Sequence, residues 1–220
     1  MIPVVVSCVA IPAGAMKICL EQIGKRYQRH WVFKNVDHVF ELPGSYALLG
    51  ANGSGKSTLL RIIAGMQSAS VGKLTLSNNG QPIALNECFP FLSFCAPGME
   101  LPEELTLREM LQFHFTFKKR IKQLTDAEMI GRMGLEAAAD KQLADYSSGM
   151  KQRVKLALAL FSDTPALFLD EPCTNLDEAG VQQYLDWIAE FGKDRLVIVA
   201  SNDAREYAFC QETISLANYK

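Results

Sequence analysis

One stretch of the sequence has the residue types and the spacing of a loop that binds phosphate. Residues 50–57 read Gly-Ala-Asn-Gly-Ser-Gly-Lys-Ser and match the pattern GxxxxGK followed by Ser or Thr. In such a loop, glycines let backbone N–H groups approach phosphate oxygens, and the loop ends at the positive pole of a helix. The Lys56 ammonium would reach the β- and γ-phosphates of a nucleotide, and the Ser57 hydroxyl would ligate Mg²⁺. The predicted nucleotide-binding residues of this loop are Gly50, Ala51, Asn52, Gly53, Ser54, Gly55, Lys56, Ser57 and Thr58.

Two adjacent acids provide the second half of a hydrolytic site. Asp170 and Glu171 directly follow the apolar run 166–169, which reads Ala-Leu-Phe-Leu. Asp170 can hold Mg²⁺ through water, and Glu171 can orient or deprotonate the water that attacks the terminal phosphate. Two acids at the end of a strand are common on their own, but downstream of a phosphate loop they predict a nucleoside triphosphatase.

The elements that position these residues follow from the hydrophobic pattern. The apolar run 46–49 predicts a strand before the loop, and residues 56–64 predict a buried helix that ends at Gly65. Residues 166–169 and 196–200 predict two further buried strands. The helix between them has its apolar side chains on one face, namely Val181, Tyr184, Leu185, Ile188 and Phe191. Strands that alternate with helices predict a largely parallel sheet, whose ligands bind beyond the carboxyl ends of the strands.

The middle third of the chain has a helical pattern instead. Thr106 with Glu109, and Thr125 with Glu128, have the capping-box spacing, in which a hydroxyl and a carboxylate satisfy the first backbone amides of a helix. A further helix is predicted from about residue 150 to residue 161, where the segment Asp163-Thr-Pro165 closes it.

A third motif resembles the LSGGQ signature of the ABC family. Residues 146–152 read Tyr-Ser-Ser-Gly-Met-Lys-Gln and precede Asp170, as the signature does in that family. In this alignment Ser147, Ser148 and Gly149 take the positions that bind phosphate, although Tyr, Ser and Met replace three of the usual residues. A Ser- and Gly-rich helix N-terminus offers N–H and hydroxyl donors to an anion. Taken alone, such a stretch is also typical of a simple helix cap.

Two further resemblances extend over nearly the whole chain. Residues 174–177 are similar to the D-loop of the family, and Tyr27 occupies the position of an aromatic residue that stacks on adenine. The resemblance implies that ATP and Mg²⁺ bind here, with Ser57 and Asp170 at the metal. It also implies that two copies pack head to tail, each ATP lying between the phosphate loop of one copy and the signature helix of the other.

The resemblance also implies the fold and the domain plan. We expect an α/β P-loop NTPase with a mainly parallel core sheet, an ABC-type helical subdomain and a small antiparallel β subdomain. The expected domain spans residues 16–218, with its core at about 16–93 and 163–218 and its helical subdomain at about 98–162. Residues 1–15 are apolar and contain Ala-Gly-Ala, but no Lys or Arg, so we interpret them as a disordered or non-native extension rather than a signal peptide.

The sequence departs from the family at two positions that sense nucleotide. Asn202 stands where the family has a switch histidine, and Asn can donate a hydrogen bond but cannot carry a proton. We therefore expect hydrolysis through Glu171, Lys56 and Asn202 that is slower than usual. Pro97 or Gly98 occupies the place of a glutamine that senses Mg²⁺, while Gln112 is expected on a helix surface.

Composition describes an ordinary globular chain with nearly balanced charge. Apolar residues make up 49% and charged residues 21%, and 22 Lys and Arg balance 24 Asp and Glu, so no nucleic-acid partner is expected.

We interpret the basic residues within 118–122 as a solvated helix face. For Phe113, Phe115 and Phe117 we favour core packing over a surface that receives a membrane subunit. Six cysteines without CxxC or metal-ligand spacing indicate reduced, mostly buried thiols.

The function predicted from these observations is that of an ATPase subunit of an ABC transporter. The resemblance implies that the subunit works as a homodimer or with a paired ABC ATPase. Because its apolar runs are too short to cross a bilayer, separate transmembrane permease subunits must carry the substrate. It would be cytoplasmic, peripheral on the inner face of the membrane, and similar to small bacterial export-type subunits. Two alternatives are a soluble ABC ATPase acting on nucleic acid or ribosomes and a nucleotide sensor with impaired hydrolysis.

Overall fold

The computed structural model describes residues 16–220, so the expectations for residues 1–15 lie outside the described part of the chain. A five-stranded sheet forms the centre, with every neighbouring pair of strands parallel. Its spatial order is β6 (Leu92–Cys95), β7 (Ala166–Asp170), β8 (Leu196–Ala200), β3 (Gly44–Leu49) and β9 (Glu212–Ser215). The predicted parallel sheet is confirmed, including the strands expected before the phosphate loop and before Asp170.

A second sheet has four strands and is antiparallel. Its order is β2 (His30–Glu41), β1 (Met16–Tyr27), β4 (Val71–Asn78) and β5 (Gln81–Ile83). The strands β1 and β2 are long enough to form a twisted hairpin whose inner face is apolar, with Ile18, Ile23, Phe33 and Phe40 fully buried. The expected small antiparallel β region is confirmed.

Within residues 16–220, six α-helices complete the fold. They are α1 (Lys56–Ile63), α2 (Leu107–Phe117), α3 (Asp126–Met133), α4 (Ser148–Leu160), α5 (Glu178–Phe191) and α6 (Ala204–Tyr207). Both predicted capping boxes are present: Thr106 and Glu109 exchange bonds at the start of α2, and Thr125 and Glu128 do so at the start of α3. The middle third of the chain is therefore helical, as predicted.

The central strands are buried on both faces, which explains why they read as continuous apolar runs. In β8, Val197 and Val199 point to a core that contains α2, α3, α4 and α5, whereas Leu196 and Ile198 point to a core that contains α1 and the antiparallel sheet. Successive side chains in a strand alternate between faces, so each strand contributes to both cores. The parallel sheet is thus a rigid partition whose carboxyl edge can hold a site.

Two expectations for the region around α2 are wrong. Phe113 and Phe117 are 52% and 60% exposed and stack edge to face on each other, while Phe115 alone packs against the core. The basic residues within 118–122 follow the end of α2, so they do not form a helix face, and Lys118 is buried. Its ammonium donates to the carbonyl oxygens of Phe89 and Leu92 and lies over the Phe89 ring. Gln112 is exposed on α2, as expected.

Candidate functional site

The loop between β3 and α1 contains the whole phosphate-loop motif. Lys56 begins α1, and Ser57 and Thr58 follow in its first turn. Lys56 is only 5% exposed, and its ammonium donates to the carbonyl oxygens of Gly50 at 2.8 Å and Ala51 at 3.4 Å. The loop therefore curves back around the ammonium, which places a fixed positive charge beside the backbone amides of the same loop.

The N-terminus of α1 is built to meet an anion. Gly55 occupies the cap position, and no side chain there bonds the first-turn amides. Gly55 has a φ of 104°, and a Cβ on it would lie 2.5 Å from Cγ1 of Val32 on β2. Only glycine allows both this backbone conformation and this close approach. The helix dipole and the uncapped N–H groups together favour a bound phosphate.

Asp170 stands at the carboxyl end of β7 and contacts the phosphate loop directly. Its Oδ1 accepts a hydrogen bond of 2.8 Å from the Ser57 hydroxyl. Burial raises the pKa of the Asp170 carboxyl, although the bond from Ser57 and the nearby cations act in the opposite direction. A carboxylate and a hydroxyl in contact are hard oxygen ligands of the kind that suit Mg²⁺, which takes its other ligands from phosphates and water. The two residues predicted at the metal are therefore brought together.

Glu171 and Asn202 lie at the ends of neighbouring strands. The Glu171 backbone has a φ of 43°, and its N–H donates to the Ala200 carbonyl at 2.9 Å, which ties it to the end of β8. Asn202 follows β8, and its Nδ2 donates to Oδ1 of Asn52 in the phosphate loop at 2.6 Å. Asn202 thus meets the phosphate loop, and the predicted base lies beside it at the same edge of the sheet, at the end of the neighbouring strand.

The signature residues form the start of α4. Ser147 caps the helix by accepting the Met150 N–H at 3.2 Å, and Ser148 and Gly149 belong to the first turn. A Cβ on Gly149 would lie 2.9 Å from the carbonyl oxygen of Asn175, so the helix start touches the segment after Glu171. Ser148 lines a cavity of about 710 Å³ that, within residues 16–220, includes none of the phosphate-loop residues in its wall. The start of α4 and the phosphate loop therefore face different spaces.

Tyr27 has surroundings that fit a stacking role, and the loop after β6 is tied to α4. Tyr27 ends β1 and is 52% exposed, with its hydroxyl held by Gln67 at 2.6 Å. An exposed, fixed ring is suited to stacking. After β6, the Pro97 carbonyl accepts a bond of 3.1 Å from the ammonium of Lys155 on α4, and Gly98 is exposed.

Sequence reasoning missed three side chains that touch this site. Lys155 could not be predicted from the sequence, because its contact with Pro97 joins distant parts of the chain. Gln152 lies in the signature match, which was the only signal for it, and it donates to the Pro172 carbonyl at 2.7 Å. Glu206 had no sequence signal, and it accepts the Cys173 N–H at 2.7 Å.

Comparison with known proteins adds independent findings. The profile of the family described as "ABC transporter" matches residues 33–174. The chain is 34% identical over 172 residues to the Nod factor export ATP-binding protein I of Rhizobium johnstonii, covering 76% of this chain and 55% of that one. It is 33% identical over 205 residues to the uncharacterized ABC transporter ATP-binding protein YxlF of Bacillus subtilis, covering 91% and 68%. The chain thus spans about half the length of the first relative and about two thirds of the second.

Solved structures share the fold. A putative ABC transporter ATP-binding protein from Pyrococcus furiosus superimposes with a TM-score of 0.75 at 22% identity, covering 93% of this chain and 99% of that one. The cassette MJ0796, solved as a dimer bound to ADP and Pi, superimposes with a TM-score of 0.76 at 20% identity, covering 90% and 93%. At these identities the likeness concerns the fold.

The position of Lys56 leads to a direct test of nucleotide binding. Replacing Lys56 by Ala removes the buried ammonium from the phosphate loop, so we expect affinity for a fluorescent ATP analogue to fall by about tenfold or more. The matched control is Lys73→Ala, because Lys73 is exposed on β4, and we expect its affinity to equal that of the parent. Equal binding by all three proteins in a fluorescence titration would show that the loop does not hold the phosphates.

Proposed function

The chain belongs to the family of ABC transporter ATP-binding proteins, and from that premise we propose that it binds and hydrolyses ATP to power transport through separate membrane subunits. The observation that carries the proposal is the contact between Ser57 and Asp170 beside the buried ammonium of Lys56. These three groups supply a metal position and a phosphate position that adjoin each other. The proposed domain plan places a helical part at about 98–162, and the positions of α2, α3 and α4 support it.

The geometry supports a specific division of labour in the hydrolysis. The phosphate-loop amides and Lys56 bind the β- and γ-phosphates and neutralise the charge that develops there. Mg²⁺, held beside Ser57 and Asp170, would supply further charge neutralisation. Glu171 accepts a proton from the attacking water, and Asn202 donates a hydrogen bond near the γ-phosphate. Because Asn202 cannot take up a proton, the reaction relies on Glu171 alone for proton transfer.

Two copies are proposed to share each nucleotide. The signature residues Ser147, Ser148 and Gly149 line or adjoin a space that the phosphate loop does not reach. Their hydrogen-bond donors would therefore act on the ATP of a second copy, packed head to tail, as a homodimer or with a paired ABC ATPase. Support comes from the fold likeness to a cassette that was solved as a dimer with ADP and Pi.

An apolar groove beside α2 is proposed to receive the membrane subunit. A cavity of about 220 Å³ is lined by Met66, Phe89, Leu92, Met99, Met110 and Leu158. Met110, Phe113, His114 and Phe117 have helical spacing on α2, so the exposed Phe113–Phe117 pair extends the face that lines the groove. An exposed apolar surface of this kind marks an interaction site. Its proposed occupant is an apolar cytoplasmic segment of the permease.

The proposed location is the inner face of the cell membrane, held there by the permease. Within residues 16–220, no helix has the length and apolar character needed to cross a bilayer. The name of the Rhizobium relative, an export protein, favours export over import for this chain. A nucleotide sensor is the second candidate function, because Asn202 contacts the phosphate loop where the family has a proton-carrying residue.

Removal of the proposed base separates binding from hydrolysis. With Glu171→Gln the nucleotide is still bound, but the attacking water loses its proton acceptor, so turnover should fall by about 100-fold or more. Size-exclusion chromatography with ATP and Mg²⁺ should then show a trapped dimer, while the parent returns to monomer as it hydrolyses ATP. If Glu171→Gln stays monomeric and hydrolyses ATP at the parental rate, both the base assignment and the ATP sandwich are wrong.

The switch position offers a gain-of-function test. Asn202→His restores a side chain that can carry a proton beside the phosphate loop, so we expect kcat for ATP to rise by about threefold or more. Asn202→Ala, which removes the bond to Asn52, should lower kcat instead. A steady-state phosphate-release assay compares the three proteins. No increase, or a decrease, with His would mean that Asn202 is not what limits turnover.

The exposed aromatic pair tests the docking surface. Changing Phe113 and Phe117 together to Asp leaves the core intact, because both rings are more than half exposed. In the native host we expect the fraction of this protein that sediments with membranes to fall by about fivefold or more, since charge disfavours an apolar contact. Val71→Asp, an exposed apolar site on the antiparallel sheet, should sediment as the parent does. Unchanged sedimentation of the double variant would contradict the proposed groove.

A further inference from the structure

Glu171 occupies a backbone conformation that neighbouring groups must hold. Its φ of 43° lies in the left-handed region, which a residue with a side chain adopts only at a cost of about 1 kcal/mol or more. Pro172 follows and has no N–H, so it cannot donate a hydrogen bond that would stabilise the segment. The direction of the Glu171 side chain therefore depends on whatever fixes residues 171–173.

Three hydrogen bonds from three different elements fix that short segment. The Glu171 N–H donates to the Ala200 carbonyl of β8 at 2.9 Å. The Pro172 carbonyl accepts from Nε2 of Gln152 on α4 at 2.7 Å, and the Cys173 N–H donates to Oε1 of Glu206 on α6 at 2.7 Å. Three backbone groups of the segment are thus held by three different elements, while the Glu171 and Cys173 carbonyls accept bonds within the turn that follows.

The two side chains in this set are buried, and one of them, Gln152, has an unpaired polar atom. Gln152 is 1% exposed and Glu206 is 4% exposed. Within the described residues, Oε1 of Gln152 has no hydrogen-bond partner, whereas the Glu206 carboxylate also interacts with the Ser201 hydroxyl and the Cys173 thiol. A buried polar atom without a partner costs about 1–3 kcal/mol, so Gln152 is a poor choice for stability alone. Burial also raises the pKa of the Glu206 carboxyl.

We propose that Gln152 and Glu206 are positioning residues that clamp the segment 171–173 and so aim Glu171 at the attacking water. Neither contacts the reacting atoms; both act through the backbone next to Glu171. The inference rests on the proposed ATPase activity, which it deepens by naming what sets the position of its base. Gln152 lies three residues after Gly149, so one turn of α4 joins the clamp to the signature residues.

The test is a comparison of kcat with ATP affinity in the full chain. Glu206→Ala removes the acceptor for Cys173, and Gln152→Met keeps the length of the side chain but removes the donor to Pro172. Each should lower kcat by about tenfold or more, because a small displacement of a catalytic group is costly. The Kd for a fluorescent ATP analogue should stay within about threefold of the parent, since the phosphate loop is untouched.

Two further variants separate positioning from stability. Glu206→Gln keeps an oxygen that can accept the Cys173 N–H, so its kcat should stay within about threefold of the parent. Thr164 precedes β7, and its buried hydroxyl is hydrogen-bonded to Ser93 and Arg195. Thr164→Val removes that hydroxyl and should lower the melting temperature without a loss of kcat. If Glu206→Ala does not fold, the kcat values of Gln152→Met and Glu206→Gln still test whether the two side chains position Glu171.

The outcomes distinguish this inference from the function on which it rests. A parent that releases no phosphate from ATP overturns the proposed function. A parent that is active, with kcat unchanged in Gln152→Met, overturns the clamp alone. A kcat that falls in Glu206→Gln as far as in Glu206→Ala, or an equal loss of kcat in Thr164→Val, also overturns it, because loss of stability would then account for the effect.

Discussion

The hydrogen bond between Ser57 and Asp170 is the contact on which the site depends. It joins the first turn of α1 to the end of β7 across 113 residues of chain. The strand order β7-β8-β3 makes this contact geometrically accessible, because β8 alone separates the strand that leads into the phosphate loop from the strand that ends in the acids. Since all three strands are parallel, their carboxyl ends lie at one edge, and Asn202 after β8 completes the row.

Burial on both faces makes this edge rigid enough to carry chemistry. The strands β7 and β8 contribute alternate side chains to two cores, one made with the helices of the middle third and one made with α1 and the antiparallel sheet. Close packing on both sides leaves the strands no freedom to shift. The helices on one face also include α4, whose first residues line a space that the phosphate loop does not reach and are proposed to bind the nucleotide of a second copy.

Local motifs could be predicted from the sequence, whereas contacts between distant segments could not. The phosphate loop, the strand before Asp170 and both capping boxes follow from short patterns, and the structure has these elements. The core packing predicted for the aromatic residues of α2 is wrong for two of them, because aromatic residues suggest a core and only the tertiary structure shows that Phe113 and Phe117 are exposed. A run of basic residues likewise suggests exposure to solvent, yet the Lys118 ammonium donates to two backbone carbonyls inside the protein.

The contacts that hold the Glu171 segment also could not be predicted from the sequence, because they join distant parts of the chain. Gln152 precedes Pro172 by 20 residues, and Glu206 follows Cys173 by 33 residues, so neither pairing leaves a periodic trace in the sequence. Their partners are backbone atoms, which any residue type would supply. Short motifs thus locate the reacting groups, while the tertiary structure alone reveals what positions them.

The central claim is that this chain converts ATP to ADP and phosphate at the edge formed by the phosphate loop, Asp170 and Glu171. Phosphate release by the purified full chain, followed at saturating ATP with Mg²⁺ and again after chelation of the metal, tests it most directly. The account predicts continuous release of many equivalents of phosphate per chain that stops when Mg²⁺ is removed. Saturable ATP binding without phosphate release, at any protein concentration, would contradict it.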